Sequence, residues 1–384
     1  MDFELNKEQQ DIKNAAREFA EKEFPLIARQ CDEDEKLDMA LLEKARELGF
    51  VGAYIPEEYG GPGLNFFEKA LIVEEFWRMD PGLAQAIICV TFGAEIVIDF
   101  GTEEQKRKYL SPLVEEQAIM ATAITEPDAG SDVTSARTTA IKDGDEYIIN
   151  GSKMFISNGT LADYIIVFCK THPDEPSRYK QYSLIMVETD RKGFEANKLK
   201  NKLGIRASDT AELAFNDVRV PVENLIGKEK EGFNQVLNLF NKERITVAAQ
   251  GTGLAQGALE QAIKHISQRE QFGKKIASFQ AIRFKIAEMA TLIEAGRSLY
   301  YRAAWSIDTG QEDHSLIAMA KWFCSKNAVT VAEKSLQMHG GYGFLNEYDI
   351  ARFFRDSKIV EIYEGTKEIE KIVIANALLG KIRN

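Results

Sequence analysis

Tyr363-Glu364-Gly365-Thr366 sets a carboxylate in an apolar stretch, beside a glycine and directly ahead of the last helical pattern. Burial would raise such a carboxyl from its ordinary value of about 4.3 toward the range where a general base works. The bland alternative is a solvated glutamate ahead of a helix capped by Thr366. A second constellation is Thr122-Ala-Ile124-Thr125-Glu126, continuing through Gly130-Ser131-Asp132. A strand that ends in a polar, glycine-containing loop offers backbone N–H groups and hydroxyls to a heterocycle or phosphate, although an ordinary strand-to-loop corner looks the same. Met154-Phe155-Ile156-Ser157 sets an aromatic and a hydroxyl two apart on a strand face, so Phe155 can stack on a planar ring and Ser157 can bond it. Alone, a core aromatic is the better explanation. Finally, Arg269-Glu-Gln271-Phe272-Gly273 and the later Gln337-Met-His-Gly340-Gly341 combine an arginine at a glycine turn with paired glycines. Those suit a pyrophosphate approached closely by backbone, or simply a helix end followed by a loop.

The elements that must position these residues fall into three stretches. Residues 1 to about 118 read as helices: Asn6 with Gln9 marks a cap, and Ile12, Ala16, Phe19 and Ala20 follow on one face. A second helix from about Asp38 to Leu48 stops at Gly49. The apolar run from Phe67 to Phe100 holds two buried helices broken at Asp80-Pro81-Gly82, and Thr102 with Gln105 forms another capping box. From Ile119 the texture is that of strands: Ile119–Thr125, Tyr147–Asn150, Tyr164–Cys169, Tyr182–Glu188 and Ala211–Val220, with Asp143-Gly144 as a hairpin turn. Helical periodicity returns near Gly232, with helices near 233–268, 277–308, 313–338 and 367–381. The class is α+β, with domains at 1–118, 119–230 and 231–384. Gly251-Thr-Gly253-Leu-Ala-Gln-Gly257 imitates a dinucleotide fingerprint, but it lies within a helical pattern rather than after a strand. Close helix packing is the better reading, and no Rossmann unit is expected.

Composition bounds the function. The 48 basic and 60 acidic residues leave a net charge of −12, which argues against a nucleic-acid-binding protein. Cys31, Cys89, Cys169 and Cys324 are far apart, form no CxxC and lie near no histidine, so they read as buried thiols with no metal site. The N-terminus lacks a hydrophobic signal core and an arginine-rich transit character, and no long apolar run occurs. A cytoplasmic, bacterial protein is expected, with no membrane or nucleic-acid partner.

Together the four constellations resemble the acyl-CoA dehydrogenase family, and the resemblance runs from Leu5 to about Leu379. Its specific parts are Ile124-Thr125-Glu126-Pro127 through Gly130-Ser131-Asp132, Arg269 with Phe272-Gly273, Gln337 with Gly340-Gly341, and Tyr363-Glu364-Gly365-Thr366. The resemblance implies an N-terminal helical domain, a central β-barrel-like domain and a C-terminal four-helix bundle. It implies FAD held between subunits of a homotetramer, an acyl-CoA substrate, and electrons passed to an electron-transferring flavoprotein. Residue by residue, it sets Thr122, Ile124, Thr125, Gly130 and Ser131 along the flavin ring with Phe155, Ser157 and Thr366. Phe155 stands where tryptophan is often found and Ser157 where threonine is, and both keep the physical role. Arg269, Gln271, Phe272, Phe279, Gln280, Gln337, Gly340 and Gly341 would hold the diphosphate and adenosine of a neighbouring subunit's FAD.

The same resemblance gives the chemistry. Glu364 would take the α-proton while the β-hydride goes to flavin N5, giving a trans-2-enoyl thioester. Ser131, Arg244, Gly365 and Thr91 would touch substrate. Some relatives with branched- or long-chain substrates carry their base immediately before the arginine matched by Arg244, which makes Glu243 the alternative. Both carboxylates are present; Glu364 is favoured because those relatives usually lack one at its position, and Glu243 would tune the pair. Glutaryl-type relatives carry an arginine where Leu83 aligns, and Leu83–Ile88 with Thr91 and Phe92 supplies no cation, so a neutral acyl group is expected. A flavin oxidase or a non-catalytic assembly protein on the same scaffold are the other classes considered; the intact Tyr-Glu-Gly-Thr favours the dehydrogenase.

Overall fold

The computed structural model describes residues 4–380. Helix α1 (Lys7–Asp34) starts on a reciprocal capping box between Asn6 and Gln9, and α2 (Met39–Glu47) ends just before Gly49, whose φ is +76°. The box meets two donors that a helix start leaves unbonded. Between Phe67 and Phe100 three helices form where two were expected: α3 (Phe66–Met79), α4 (Pro81–Ile88) and α5 (Ala94–Phe100). The break at Asp80 is the one the sequence marks, and its carboxylate caps α4 at 2.8 Å from Leu83 N. The second break was hidden because Gly93, with φ +110°, is flanked by apolar residues that continue the run. Helix α6 (Glu103–Glu115) begins on the Thr102–Gln105 box.

The central sheet contains β1 (Met120–Ala123), β2 (Thr139–Asp143), β3 (Glu146–Ser157), β4 (Tyr164–Lys170), β5 (Tyr182–Glu188), β6 (Phe194–Lys198), β7 (Thr210–Pro221) and β8 (Leu225–Ile226). Its order is β6-β7-β3-β2-β4-β5-β8, with β1 paired parallel to β4 through Met120↔Tyr164. The path from β6 to β8 does not close, so the sheet is strongly paired but is not a closed barrel. Gly144, with φ +68°, turns β2 into β3 as Asp143-Gly144 predicts. Strands β6 and β8 escaped notice because one alternates with polar residues and the other is two residues long.

The C-terminal part is helical: α7 (Gly232–Gln268), α8 (Gln280–Asp308), α9 (His314–His339), α10 (Asp349–Ser357) and α11 (Lys367–Leu379). Helix α10 was not foreseen, and residue 381 of the last predicted helix lies outside the described residues. Two short strands, β9 (Glu270–Gln271) and β10 (Lys274–Lys275), make a hairpin with Phe272 and Gly273 at its tip. Helix α7 packs on α9, α3 and α8, so the two helical parts share one core. Ion pairs also tie α3 to its neighbours: buried Glu75 accepts from Arg17 of α1 at 2.9 and 3.0 Å, and Glu74 from Arg297 of α8 at 2.9 Å. Among the described residues no helix is long and apolar enough to cross a membrane.

The glycine decoy is a helix crossing. A Cβ on Gly253 would lie 2.2 Å from the Glu74 carbonyl oxygen, and one on Gly257 1.9 Å from that of Arg78. Backbone cannot yield as a side-chain end can. Gly257→Ala should therefore destabilise the protein by about 1–3 kcal/mol or more, despite alanine's helical advantage. Gly296→Ala on α8, whose Cβ would meet only side chains, the nearest being the Cys324 sulfur at 3.2 Å, should cost far less. Thermal unfolding of the two variants side by side checks this, and equal midpoints would refute the crossing.

Candidate active site

Helices α3, α4 and α7 and the loop before α11 converge on a cavity of ≈ 40 Å³ lined by Glu364, Glu243, Lys69, Glu95, Ser157 and a wall of mixed polarity. The loop that carries Glu364 is tightly specified. Gly365 has φ +98°, and a Cβ there would fall 2.3 Å from Glu370 Oε1, so only glycine fits. Lys321 Nζ donates to the Gly365 carbonyl, and Tyr363 Oη donates to Gln250 Oε1. Thr366 accepts from Ile369 N at 3.4 Å and caps α11. Behind the loop, Arg244 pairs with fully buried Glu370 at 3.0 Å. Arg244 is itself buried at the back of the loop and lines neither the cavity nor the groove described below.

The electrostatics follow from this burial. Glu364 Oε2 is buried without a hydrogen-bond partner. Desolvation first, then the charge of Glu243, push the Glu364 carboxyl up to about 8, while Lys321 and Arg244 pull the other way. Glu243 lies in the same cavity but has a cation: Lys69 Nζ donates to it and to Glu95, each at 2.8 Å. One ammonium cannot neutralise two carboxylates. Glu95 is held below its ordinary value by Lys69, while burial pushes Glu243 up to about 7. Sequence reasoning missed Lys69, Glu95, Tyr54 and Gln250. A signal was available for Lys69, one of two cations on a largely apolar helix whose residues from Lys69 to Arg78 are all buried.

The strand-to-loop corner after β1 is stapled rather than free. Glu126 accepts from Thr138 N at 2.9 Å and from fully buried Lys153 at 2.9 Å, which also bonds the Ile124 carbonyl. Thr125 follows β1, its carbonyl accepting from Met154 N at 2.9 Å, and Gly130 and Ser131 are exposed beyond it. Thr122 is buried, its hydroxyl donating to the Phe92 carbonyl at 3.0 Å. Ile124 is buried too. Thr91 stands behind Tyr54, whose hydroxyl donates to its carbonyl at 3.0 Å, and does not line the cavity. A bulge between Lys153 and Ile156 breaks the strand alternation, so the two-residue spacing of Phe155 and Ser157 no longer implies one face. Phe155, at φ +62°, is 66% exposed, whereas Ser157 lines the cavity. A positive φ on a bulky residue is an uncommon, strained conformation, of the kind that clusters at ligand sites.

Arg269, Gln271, Gln337, Gly340 and Gly341 come together in a separate, open groove of ≈ 400 Å³ beside stacked His265 and His339. Arg269 lies 5.4 Å over the Tyr342 ring, and a Cβ on Gly340 or Gly341 would meet nothing within 4 Å. Phe272 is 93% exposed at the hairpin tip, edge-on to Phe279, and Gln280 opens α8. No residue lines both this groove and the cavity. The groove fits a diphosphate with an adenosine: a cation that is not ion-paired, open backbone at two glycines, and aromatic faces. The exposed Phe155 face next to Ser157 fits a flat ring.

A fold of helices, open sheet and helices that sets a buried carboxylate in one cavity, and a groove suited to a diphosphate and adenosine apart from it, is that of a flavin-dependent enzyme of CoA thioesters. The chain belongs to the acyl-CoA dehydrogenase family: the family's N-terminal, middle and C-terminal domain profiles match residues 6–117, 121–218 and 230–379. It is 41% identical over 383 residues to an acryloyl-CoA reductase (NADH) of Anaerotignum propionicum, covering 99% of this chain and 97% of that protein. It is likewise 41% identical to a short-chain-specific acyl-CoA dehydrogenase of Clostridium acetobutylicum, covering all of both chains. A solved structure described as the electron transferring flavoprotein of Acidaminococcus fermentans, a study of flavin-based electron bifurcation, contains a chain with TM-score 0.95 and 44% identity, covering 99% and 100% of the two chains. The protein is thus an FAD-dependent oxidoreductase acting on acyl-CoA thioesters.

Four buried carboxyls bind their protons more tightly folded than unfolded: Glu364 to about 8, and Glu243, Glu370 and Asp356 to about 7. Between the unfolded values near 4 and these, the folded state holds the extra protons, so the contribution of these four groups is full below about pH 4 and is lost progressively as pH rises to between 7 and 8. Lys321 and Lys202, lowered to about 8, act only above that window. The melting temperature of ligand-free protein should fall from pH 6 to 8, and Glu364→Gln should flatten the slope. Scanning fluorimetry across pH tests this; a midpoint that climbs over that range would contradict it.

Proposed function

We propose that this enzyme dehydrogenates a short, neutral acyl-CoA to the trans-2-enoyl-CoA, with Glu364 as the base. The observation that carries the reading is the contrast in the cavity: Glu364 presents an unbonded, desolvated carboxyl oxygen, whereas Glu243 is bonded to Lys69. A desolvated carboxylate is a stronger base toward a weakly acidic α-proton. As the proton leaves, charge grows on the thioester oxygen, and the Glu364 peptide N–H is placed in this reading as a donor to it. Bound FAD supplies the two-electron acceptor for the β-hydride. In this reading Ser157, Thr125 and Phe155 would hold the flavin ring, and Arg269 with Gln337–Gly341 would hold the diphosphate and adenosine.

The size of the cavity, ≈ 40 Å³, supports a short acyl chain. Its one cation has both carboxylate partners already, so it offers little to a distal substrate carboxylate. Leu83, where a glutaryl-type arginine would align, is fully buried and outside the cavity. The separation of cavity and groove supports FAD shared between neighbouring subunits, as do the exposed Phe272, Phe284 and Phe344. The assembly in this reading is a homotetramer passing electrons to an electron-transferring flavoprotein. Reduction of an enoyl thioester is the second reading. Below pH 8 the ligand-free Glu364 carries the proton that the α-carbon would receive, and a close relative is named as an acryloyl-CoA reductase.

Glu364→Gln should bind acyl-CoA yet slow flavin bleaching by roughly 10²–10⁴-fold, read by rapid mixing; near-parental bleaching would remove Glu364 from the chemistry. A panel of acyl-CoAs should bleach fastest with three- to five-carbon neutral chains and slowly with octanoyl- or glutaryl-CoA. The enoyl-CoA with reduced flavin, run in the same apparatus, separates the two directions. Arg269→Ala should lower the FAD-to-chain ratio of purified protein, because a charge-assisted phosphate contact is lost. Light scattering should show the tetramer loosening with it. Full flavin content in that variant would exclude Arg269 from the cofactor groove.

A further inference from the structure

Lys69 lines the cavity, yet the reaction as described gives it no role. Its Nζ donates to Glu95 on α5 and Glu243 on α7 and lies 4.3 Å from the Tyr54 ring centre and 5.2 Å from that of Phe66. An ammonium has three N–H donors; two are spent on carboxylates and aromatic faces crowd the rest. The Lys69 and Glu243 side chains are each 8% exposed and Glu95 is 3% exposed, so solvent does little to screen the contacts. The same cavity therefore holds three glutamates in unequal states, Glu95 and Glu243 bonded to the ammonium and Glu364 not. Glu243 Oε1 is committed to a cation, and Glu364 Oε2 has no hydrogen-bond partner.

We propose that Lys69 is a positioning residue that assigns the roles of the two glutamates: it fixes Glu243 in the cavity wall as a bonded carboxylate and leaves Glu364 the only carboxylate free to take the α-proton. The proposal rests on Glu364 as the base and adds why its neighbour is not. A lone pair engaged by an ammonium is a poorer acceptor for a carbon-bound proton, and its direction is fixed. With Lys69 gone, Glu243 has neither restraint. It then takes the proton as the Cα–H bond breaks, and the electron pair forms the α,β double bond as the β-hydride leaves to FAD.

The test uses the flavin-loaded enzyme, anaerobic rapid mixing with butyryl-CoA, and Glu364→Gln as the background. Alone, that variant should lose the rate described above; if it does not, the base assignment fails, whatever Lys69 does. Adding Lys69→Met should recover at least tenfold over Glu364→Gln, and adding Glu243→Gln should remove the recovery. Lys69→Arg in the same background should recover nothing, because a guanidinium keeps both ion pairs. A merely structural lysine would only lower rates, never raise one. Since Lys69→Met leaves two buried carboxylates unpaired, Glu95 and Glu243, Lys69→Met with Glu95→Gln is the second route to the same state. Lack of recovery in flavin-loaded forms of either variant, recovery that survives Glu243→Gln, or failure of both variants to hold flavin each overturns the proposal.

Discussion

The contact on which the rest depends is the crossing of α3 and α7. Gly253 and Gly257 let the α7 backbone sit directly on the Glu74 and Arg78 carbonyls of α3. Every function-bearing side chain on those helices inherits its placement from that approach. Lys69 projects from α3 into the cavity wall, and Glu243, ten residues before Gly253, meets it from α7. On the same helix α3, Glu74 takes Arg297 of α8 and Glu75 takes Arg17 of α1. Such buried pairs contribute little net stability compared with apolar packing, but losing one partner costs about 3–5 kcal/mol. They specify one register between the helices, and the cavity needs that register.

The cavity sets its carboxyls in unequal environments. Glu364, Glu243, Glu95 and Glu370 lie within one buried region, with Lys69, Lys321 and Arg244 as counter-charges. Burial alone would neutralise them all. Distributing three cations unevenly makes the carboxyls differ in what they can do. Glu95 stays ionised beside Lys69, Glu370 braces Arg244 behind the Gly365 turn, and Glu364 is left desolvated and without a direct ion pair. Lys321 bonds the backbone of the loop rather than the carboxylate that it carries. It can thereby hold the Glu364 loop in place without neutralising its carboxyl.

Much of this was legible in the chain before any coordinates. Capping boxes at Asn6 and Thr102, the Asp143-Gly144 hairpin and the long C-terminal helices depend on local chemistry, and they appear where the residues put them. Tyr363-Glu364-Gly365-Thr366 was legible for the same reason, since its glycine and cap are local. What failed was non-local or masked. Gly93 breaks an apolar run without a polar flag, and the bulge at Phe155 reverses a pattern that alternation alone suggests. Lys69, Glu95 and Glu243 lie on three helices, with sequence separations of 26 and 174 residues between bonded partners. No periodicity within one helix reveals a triad assembled from three. Thr91, Thr122 and Arg244, assigned through resemblance, turn out to be buried behind the cavity or its loop, where they shape the site from outside it.

The two halves of the site differ in rigidity, and that difference has a physical logic. The cavity sits in the common core, its base locked by a glycine that tolerates no Cβ, whereas the groove of Arg269 and Gly340-Gly341 lies open with glycines that touch nothing. A reacting centre needs fixed geometry, because a small misplacement costs rate steeply. A groove that receives the far end of a cofactor needs only charge, open backbone and an apolar rim such as Phe272 and Phe344. Completing that groove against a neighbouring chain would bury those rings and bring cofactor retention under the control of assembly. The rigid half could then form within one chain, and the open half would gain its definition only on association.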